Sequence, residues 1–172
     1  MPLKTPLCNF CLKSGIFCPK CEALLRDGKV SELDVNIAKI LLDLQQSYPV
    51  LQDVTFLKAA ENGSILAVVV GRGDLQKILS SEGRLIRDLS ERTGKRIKIL
   101  EGASTARRFL EELFAPASIL TINTVWLPDG TTETKVILSR RDSRHLPSSV
   151  DTLIDLARKI RGIALRVELE ER

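Results

Sequence analysis

The sequence predicts an α/β (α+β) chain in three parts: a four-cysteine segment over 1–29, an α-β-β-α-α-β module over 30–102 and a second copy over 103–172. Three observations predict it. All four cysteines fall within fourteen residues. Two hairpin signals, Asn62-Gly63 and Asp129-Gly130, sit 67 residues apart between β-prone runs. The same offset relates Val70 to Ile137, Leu79 to Leu146, Ile86 to Leu153, Asp88 to Asp155 and Leu89 to Leu156. A register kept over such a span argues duplication better than any single match.

The cysteines come first. Cys8, Cys11, Cys18 and Cys21 form C-x2-C, six residues, then C-x2-C. Each C-x2-C pair can turn into a knuckle that aims two thiolates at one ion, and two knuckles make the closed tetrahedral sulfur site a structural zinc prefers. A redox pair and an iron–sulfur cluster are the competing readings. No cysteine is left over, which favours one structural zinc ion. A closed four-thiolate site has no open position for catalysis. The short gap predicts a compact knob without a long β-ribbon.

The first module follows. Ser31 caps a helix that carries Leu33, Ile37, Ile40, Leu41 and Leu44 on one face and ends before Pro49. A strand over Val50–Lys58 turns at Asn62-Gly63 into the apolar strand Ile65–Val70. A short helix, Asp74–Leu79, breaks at Ser80–Gly83. A second runs Arg84–Thr93 until Gly94 stops it, and the strand Arg96–Leu100 closes the module. In the second copy Ser104 caps a helix through Phe114. Strands Ile119–Leu127 and Thr132–Leu138 flank Asp129-Gly130, and Arg140–Pro147 replaces the short helix. A helix from Ser148 or Ser149 to Ile160 then leads to the strand Ile163–Leu169. Each copy is expected to be a three-stranded sheet with helices on one face.

Charge adds a functional bias. The formal net charge is +4 over 172 residues, and Ile65–Leu100 holds eight basic and four acidic residues, so this stretch alone accounts for the excess. That permits a nucleic-acid partner. Aromatics are only 4% of the chain, so base-stacking platforms are scarce. Met1–Pro6 shows no apolar run of the signal-peptide kind and nothing approaches bilayer length, so a soluble, cytoplasmic protein without a membrane partner is expected.

The segment Leu79-Ser80-Ser81-Glu82-Gly83-Arg84-Leu85-Ile86-Arg87-Asp88-Leu89 resembles the KH signature I-G-x-x-G-x-x-I-[RK]-x-L, with Thr93-Gly94-Lys95 like the T-G-K that often follows it. The repeated element order matches the type II KH fold. Two such modules, the Ala115-Pro116-Ala117 junction and the cysteine knuckle with Glu32-Leu33-Asp34-Val35 resemble the zinc-bearing archaeal NusA-like transcription factors. The resemblance implies binding of single-stranded nascent RNA during elongation or termination, alongside RNA polymerase or other transcription machinery, and no small-molecule substrate. A KH loop lets the nucleic-acid backbone approach the amides at a helix start. By this resemblance the RNA-contacting residues are Lys77, Ser80, Ser81, Gly83, Arg84, Arg87, Lys95, Arg96 and Lys98.

Two departures matter. Ser80 replaces the first loop glycine and Glu82 puts an anion on the phosphate path, which predicts weakened contact at the first module. The second copy has no loop glycine: His145-Leu146-Pro147-Ser148-Ser149-Val150 is followed by acidic Asp151, although Arg140, Arg141 and Arg144 precede it.

Plainer readings compete at several positions. Arg84 and Arg87 share a helix face and could be solvated partners of Asp88 and Glu91. Arg96 and Lys98 alternate with Ile97 and Ile99 and could guard an edge strand. Arg72 and Lys77 read as solubilising charges, Gly71-Arg72-Gly73 as a strand-to-helix turn, His145 as surface and Trp126 as a packed or half-exposed strand residue. No catalytic constellation is present, so no enzymatic role is expected. The alternative function is an adaptor, in which degenerate KH folds are scaffolds. The knuckle and the helix from Glu32 to Gln46 would then dock on RNA polymerase or the ribosome.

Overall fold

The computed structural model describes residues 3–80, 83–102 and 104–170. The chain is mixed α+β with two three-stranded sheets and divides into two compact units: Met1–Ala60 with Leu66–Ala103, and Ser104–Arg172 with Glu61–Ile65. The four-cysteine segment clusters with the first unit.

In the first unit, the cysteine segment forms two short helices, α1 (Asn9–Ser14) and α2 (Pro19–Arg26). Cys8 and Cys18 are their N-caps, and Pro19 suits the first turn of α2 because no helical partner awaits its missing N–H. Helix α3 (Glu32–Leu44) starts in a capping box. Ser31 Oγ accepts the Asp34 amide at 3.1 Å, and Asp34 Oδ2 accepts the Ser31 amide at 2.9 Å. The predicted strand from Val50 is corrected. Pro49–Asp53 forms a 3-10 turn that buries Leu51, and strand β1 is Phe56–Asn62. The fixed φ of Pro49 favours a helical turn over an extended entry. The hairpin turn is Gly63-Ser64, leading into β2 (Ile65–Val70), buried at every position. Helices α4 (Asp74–Leu79) and α5 (Arg84–Thr93) and strand β3 (Arg96–Glu101) complete the order.

Sheet order is β1-β2-β3. One core joins Leu41, Leu51, Phe56, Val68, Leu85 and Leu89 with Leu7, Cys11, Leu12 and Cys21. Each large apolar side chain so buried contributes about 1.5–3 kcal/mol. The knuckle is therefore anchored in the same apolar mass as the sheet. Lys4 adds to it by bridging Thr55 in parallel, with Phe56 N donating to Lys4 O at 2.8 Å.

In the second unit, Thr105 rather than Ser104 caps α6 (Ala106–Phe114), its Oγ1 accepting the Arg108 amide at 3.2 Å. Both hydroxyl residues can cap; the helix takes the later one. Strands β4 (Ile119–Trp126) and β5 (Thr132–Leu138) run antiparallel. A 3-10 turn over Asp142–His145 stands where the first unit has α4. Helix α7 (Val150–Arg161) leads to β6 (Leu165–Leu169), parallel to β5. Phe109, Leu113, Val136, Leu138, Leu153 and Leu156 are fully buried and form the core. No helix among the described residues is long and apolar enough to cross a membrane.

Candidate metal centre and nucleic-acid interface

The Sγ atoms of Cys8, Cys11, Cys18 and Cys21 all lie within 4.8 Å of one another. A tetrahedron of thiolates with metal–sulfur bonds of ~2.3 Å has edges of ~3.8 Å, so a small contraction onto one ion closes the site. The two knuckles are tied crosswise. Cys8 N donates to Cys21 Sγ, and Cys18 N donates to Cys11 Sγ, both at 3.3 Å. Placing each first cysteine at a helix N-cap frees its amide for this purpose.

The thiols titrate unequally. Cys18 is held down to about 7, first by the backbone amide of Cys21 and then by the Cys21 and Cys11 thiols. Cys21 is pushed up, chiefly by burial. At Cys11 the amide of Cys18 is the largest influence and acts downward, but burial and the thiols of Cys18 and Cys21 outweigh it, so the group is raised. Four soft donors converging around one point, two of them buried and two accepting N–H···S bonds, fit a single metal ion.

The second cluster lies where α4 meets α5. Gly83 is the N-cap of α5 at φ 80° and ψ −1°, a left-handed conformation costly for any residue with a Cβ. Among the described residues no side chain caps α5 and its first turn holds no acidic residue, so no described side chain takes up its leading amides or offsets its positive dipole end. Arg84 and Arg87 are exposed beside them, and among the described residues neither forms an ion pair. Asp88, a candidate partner for them, instead accepts the hydroxyl of Tyr48. That bond to Asp88 pushes the Tyr48 hydroxyl pKa up, with burial adding to it, while Arg84 and Arg87 pull it down through space. Tyr48 was not legible as a neighbour of this corner, because forty residues separate it from Asp88 and no spacing links them.

The corresponding helix start in the second unit is closed. Ser149 Oγ accepts the Thr152 amide at 3.2 Å, and Asp151 lies in the first turn of α7. Among the described residues the starts of α5 and α7 thus differ in side-chain capping and in first-turn charge.

The remaining candidates scatter. Lys77 Nζ lies 3.2 Å from Asp74 Oδ1 and donates to Asp53 O at 2.9 Å, so its charge serves the base of α4. Ser80 ends α4, its hydroxyl donating to Lys77 O. Ser81 and Glu82 lie outside the described residues. The Lys95 amide donates to Thr93 Oγ1 at 3.3 Å, and its carbonyl accepts from Ser90 Oγ at 2.6 Å. Arg96 opens β3 as an exposed residue, and Lys98 is half-buried within it. Gly71-Arg72-Gly73 is the strand-to-helix turn. A Cβ on Gly71 would come within 2.8 Å of Asp74 Oδ2, which accepts the amides of Gly71 and Thr55.

No family model and no curated protein matches the chain. Among solved structures it is similar to the crystal structure of APE1850, at 22% sequence identity and a TM-score of 0.57, covering 79% of this chain and 96% of that one. The likeness is one of fold.

Proposed function

We propose that this chain is an RNA-binding protein of the NusA-like kind. Its two modules would be type II KH folds, and one structural zinc ion would be held by Cys8, Cys11, Cys18 and Cys21. The observation that carries the RNA reading is the start of α5, which no described side chain caps. Gly83 opens it, two exposed arginines flank it, and no carboxylate lies in its first turn. A phosphate there would meet the positive end of the helix dipole and two guanidinium groups. The closed start of α7 supports assigning the contact to the first module alone. Arg96 and Lys98 on β3 would extend the basic surface.

Zinc is favoured by the donor set. Four thiolates in a closed tetrahedral arrangement suit an ion with no geometric demand of its own, and such a site supplies folding energy without an open coordination position. Transcription is the context implied by the family resemblance, and the RNA acted on would be nascent and single-stranded.

The test is binding of a labelled single-stranded RNA at low salt, followed by anisotropy. The wild-type chain binds, and Arg84→Glu with Arg87→Glu abolishes binding while leaving the fold intact by circular dichroism. Unchanged affinity in the double variant defeats the reading.

A second reading has its own observation. A cleft of about 530 Å³ between the knuckle and α3 is floored by Phe17, Leu25, Val30 and Val35 and rimmed by Glu32 and Lys39. Phe10 and Ile16 stand exposed on the same knuckle. These features suit an adaptor that docks on a protein surface of the transcription or translation machinery, and a salt-insensitive, protein-only interaction would favour it.

A further inference from the structure

Strand β4 is the outermost strand of the second sheet, and among the described residues nothing pairs with its outer edge. Its sequence, Ile-Leu-Thr-Ile-Asn-Thr-Val-Trp, holds no charge and no proline. Exposed edges of this kind are ordinarily guarded, because their free N–H and C=O groups template pairing with another chain. The same molecule shows such guards elsewhere. Edge strand β1 carries Lys58 and Glu61, has its Ala59 amide taken by Asp34 Oδ1 at 2.7 Å, and is bridged by Lys4 at Thr55. Edge strand β6 carries Arg166 and Glu168. Strand β4 has one guard of this kind, a bulge between Ile119 and Thr121 at its start, and its register is regular from Thr121 to Trp126.

Two further facts select the occupant. Trp126 and Leu120 are 76% and 44% exposed, at opposite ends of the strand. The Leu127 amide donates to Thr131 O at 2.8 Å across the hairpin. Antiparallel alternation then turns the main-chain groups of Val125 and Asn123 toward β5 and those of Ile122, Thr124 and Trp126 outward. A second β4 can add only in registers that set outward residues against outward residues. The register with its two-fold axis at Asn123 does so, pairing Ile122 with Thr124 of the second copy. It also brings each Trp126 to the Leu120 end of the second strand, so that the two exposed apolar side chains lie at the same ends of the pairing. No like charges meet anywhere along it.

We infer that the outer edge of β4 is a self-recognition surface, on which a second copy of this chain adds antiparallel about Asn123 to make a continuous six-stranded sheet. The pairing buries one strand edge per copy, so the dimer is weak and concentration-dependent. It is independent of the RNA and metal readings.

Sedimentation equilibrium on the full, metal-loaded chain, from low micromolar to several hundred micromolar, tests it together with fluorescence of Trp126, the only tryptophan. The expected result is a monomer–dimer equilibrium, with Trp126 emission moving to the blue as dimer forms. Asn123→Glu faces Lys135 within the monomer, which helps it fold, but sets two carboxylates together on the axis. It weakens association about tenfold or more. Thr124→Pro removes an outward N–H that the monomer does not use and has the same effect. A wild-type chain that stays monomeric throughout, leaving the edge to some other partner, overturns the proposal. So does a dimer that neither variant weakens, or one that forms with Trp126 emission unchanged.

Discussion

The carboxylate of Asp34 joins a helix to a strand: its Oδ1 accepts the Ala59 amide of β1 at 2.7 Å while its Oδ2 holds the Ser31 amide at the start of α3. The side chain is buried, and both oxygens are used. Asp34→Ala leaves the buried Ala59 amide without an acceptor and opens the capping box, at a cost of about 2–4 kcal/mol. Asp34→Asn keeps one acceptor and costs less. Urea unfolding of the two variants, with midpoints ordered wild type, Asn, Ala, is the expected outcome.

If the four cysteines hold a metal ion as proposed, its removal reaches further than the knuckle. Cys11 and Cys21 are members of the core that holds Leu41, Phe56 and Leu85, and α1 packs on α3, which packs on α5. Chelation therefore loosens α1 and α2 and lowers amide protection in α3, instead of melting the first thirty residues alone. Hydrogen exchange by mass spectrometry checks this: protection falls across 8–44 and stays unchanged in the second sheet. Cys21→Ser reproduces the pattern without chelator.

If the chain binds RNA as proposed, its affinity falls steeply with salt. Each phosphate neutralised on a single strand contributes a slope of about −0.7 in log K against log salt. If Arg84 and Arg87 each meet one phosphate, Arg84→Gln with Arg87→Gln flattens the slope by about 1.4. A salt titration of anisotropy reads the difference directly, and Lys77→Gln, which disturbs a lysine already engaged by Asp74, leaves the slope unchanged.

The second unit should be acid-sensitive through Asp155. Its carboxyl is held far below the usual range, first by the Lys159 ammonium, then by the Asn62 amide and Arg158. A depressed carboxylate stabilises the fold fully above its unfolded value, near 4, and the stabilisation is lost as pH falls through that value toward the folded one. Asp155→Asn is therefore less stable than wild type at neutral pH, and the gap closes as pH falls from about 5 toward 2. Thermal unfolding by circular dichroism across that range is the measurement.

The local elements were written in short stretches of sequence. Ser31 with Asp34 named the start of α3, the glycine at 94 named the end of α5, and the unbroken apolar run 65–70 named a strand buried at every position. Misreadings fell where two local signals competed. Pro49 with β-prone neighbours read as a strand and folded as a turn, and Ser104 read as a cap beside the equally able Thr105.

The cysteine site was legible because its ligands are close in sequence, and spacing alone nearly dictates that four thiols meet. The basic corner was legible only in part. Gly83, Arg84 and Arg87 were singled out by the resemblance to the KH signature, and Arg84 and Arg87 put on one face by their spacing, but Asp88's engagement by Tyr48 and Lys77's by Asp74 and Asp53 were not legible.

By itself, then, the sequence determined most of the helices and strands from Ser31 onward, the four-cysteine cluster and which helix begins with a glycine, because each depends on residues within a few positions of one another. Tertiary structure alone decided which charges are spoken for, that the knuckle shares a core with the first sheet, and that β4 keeps an open edge. Those outcomes depend on groups brought together from distant parts of the chain, and no local pattern records which of many possible partners a side chain will meet.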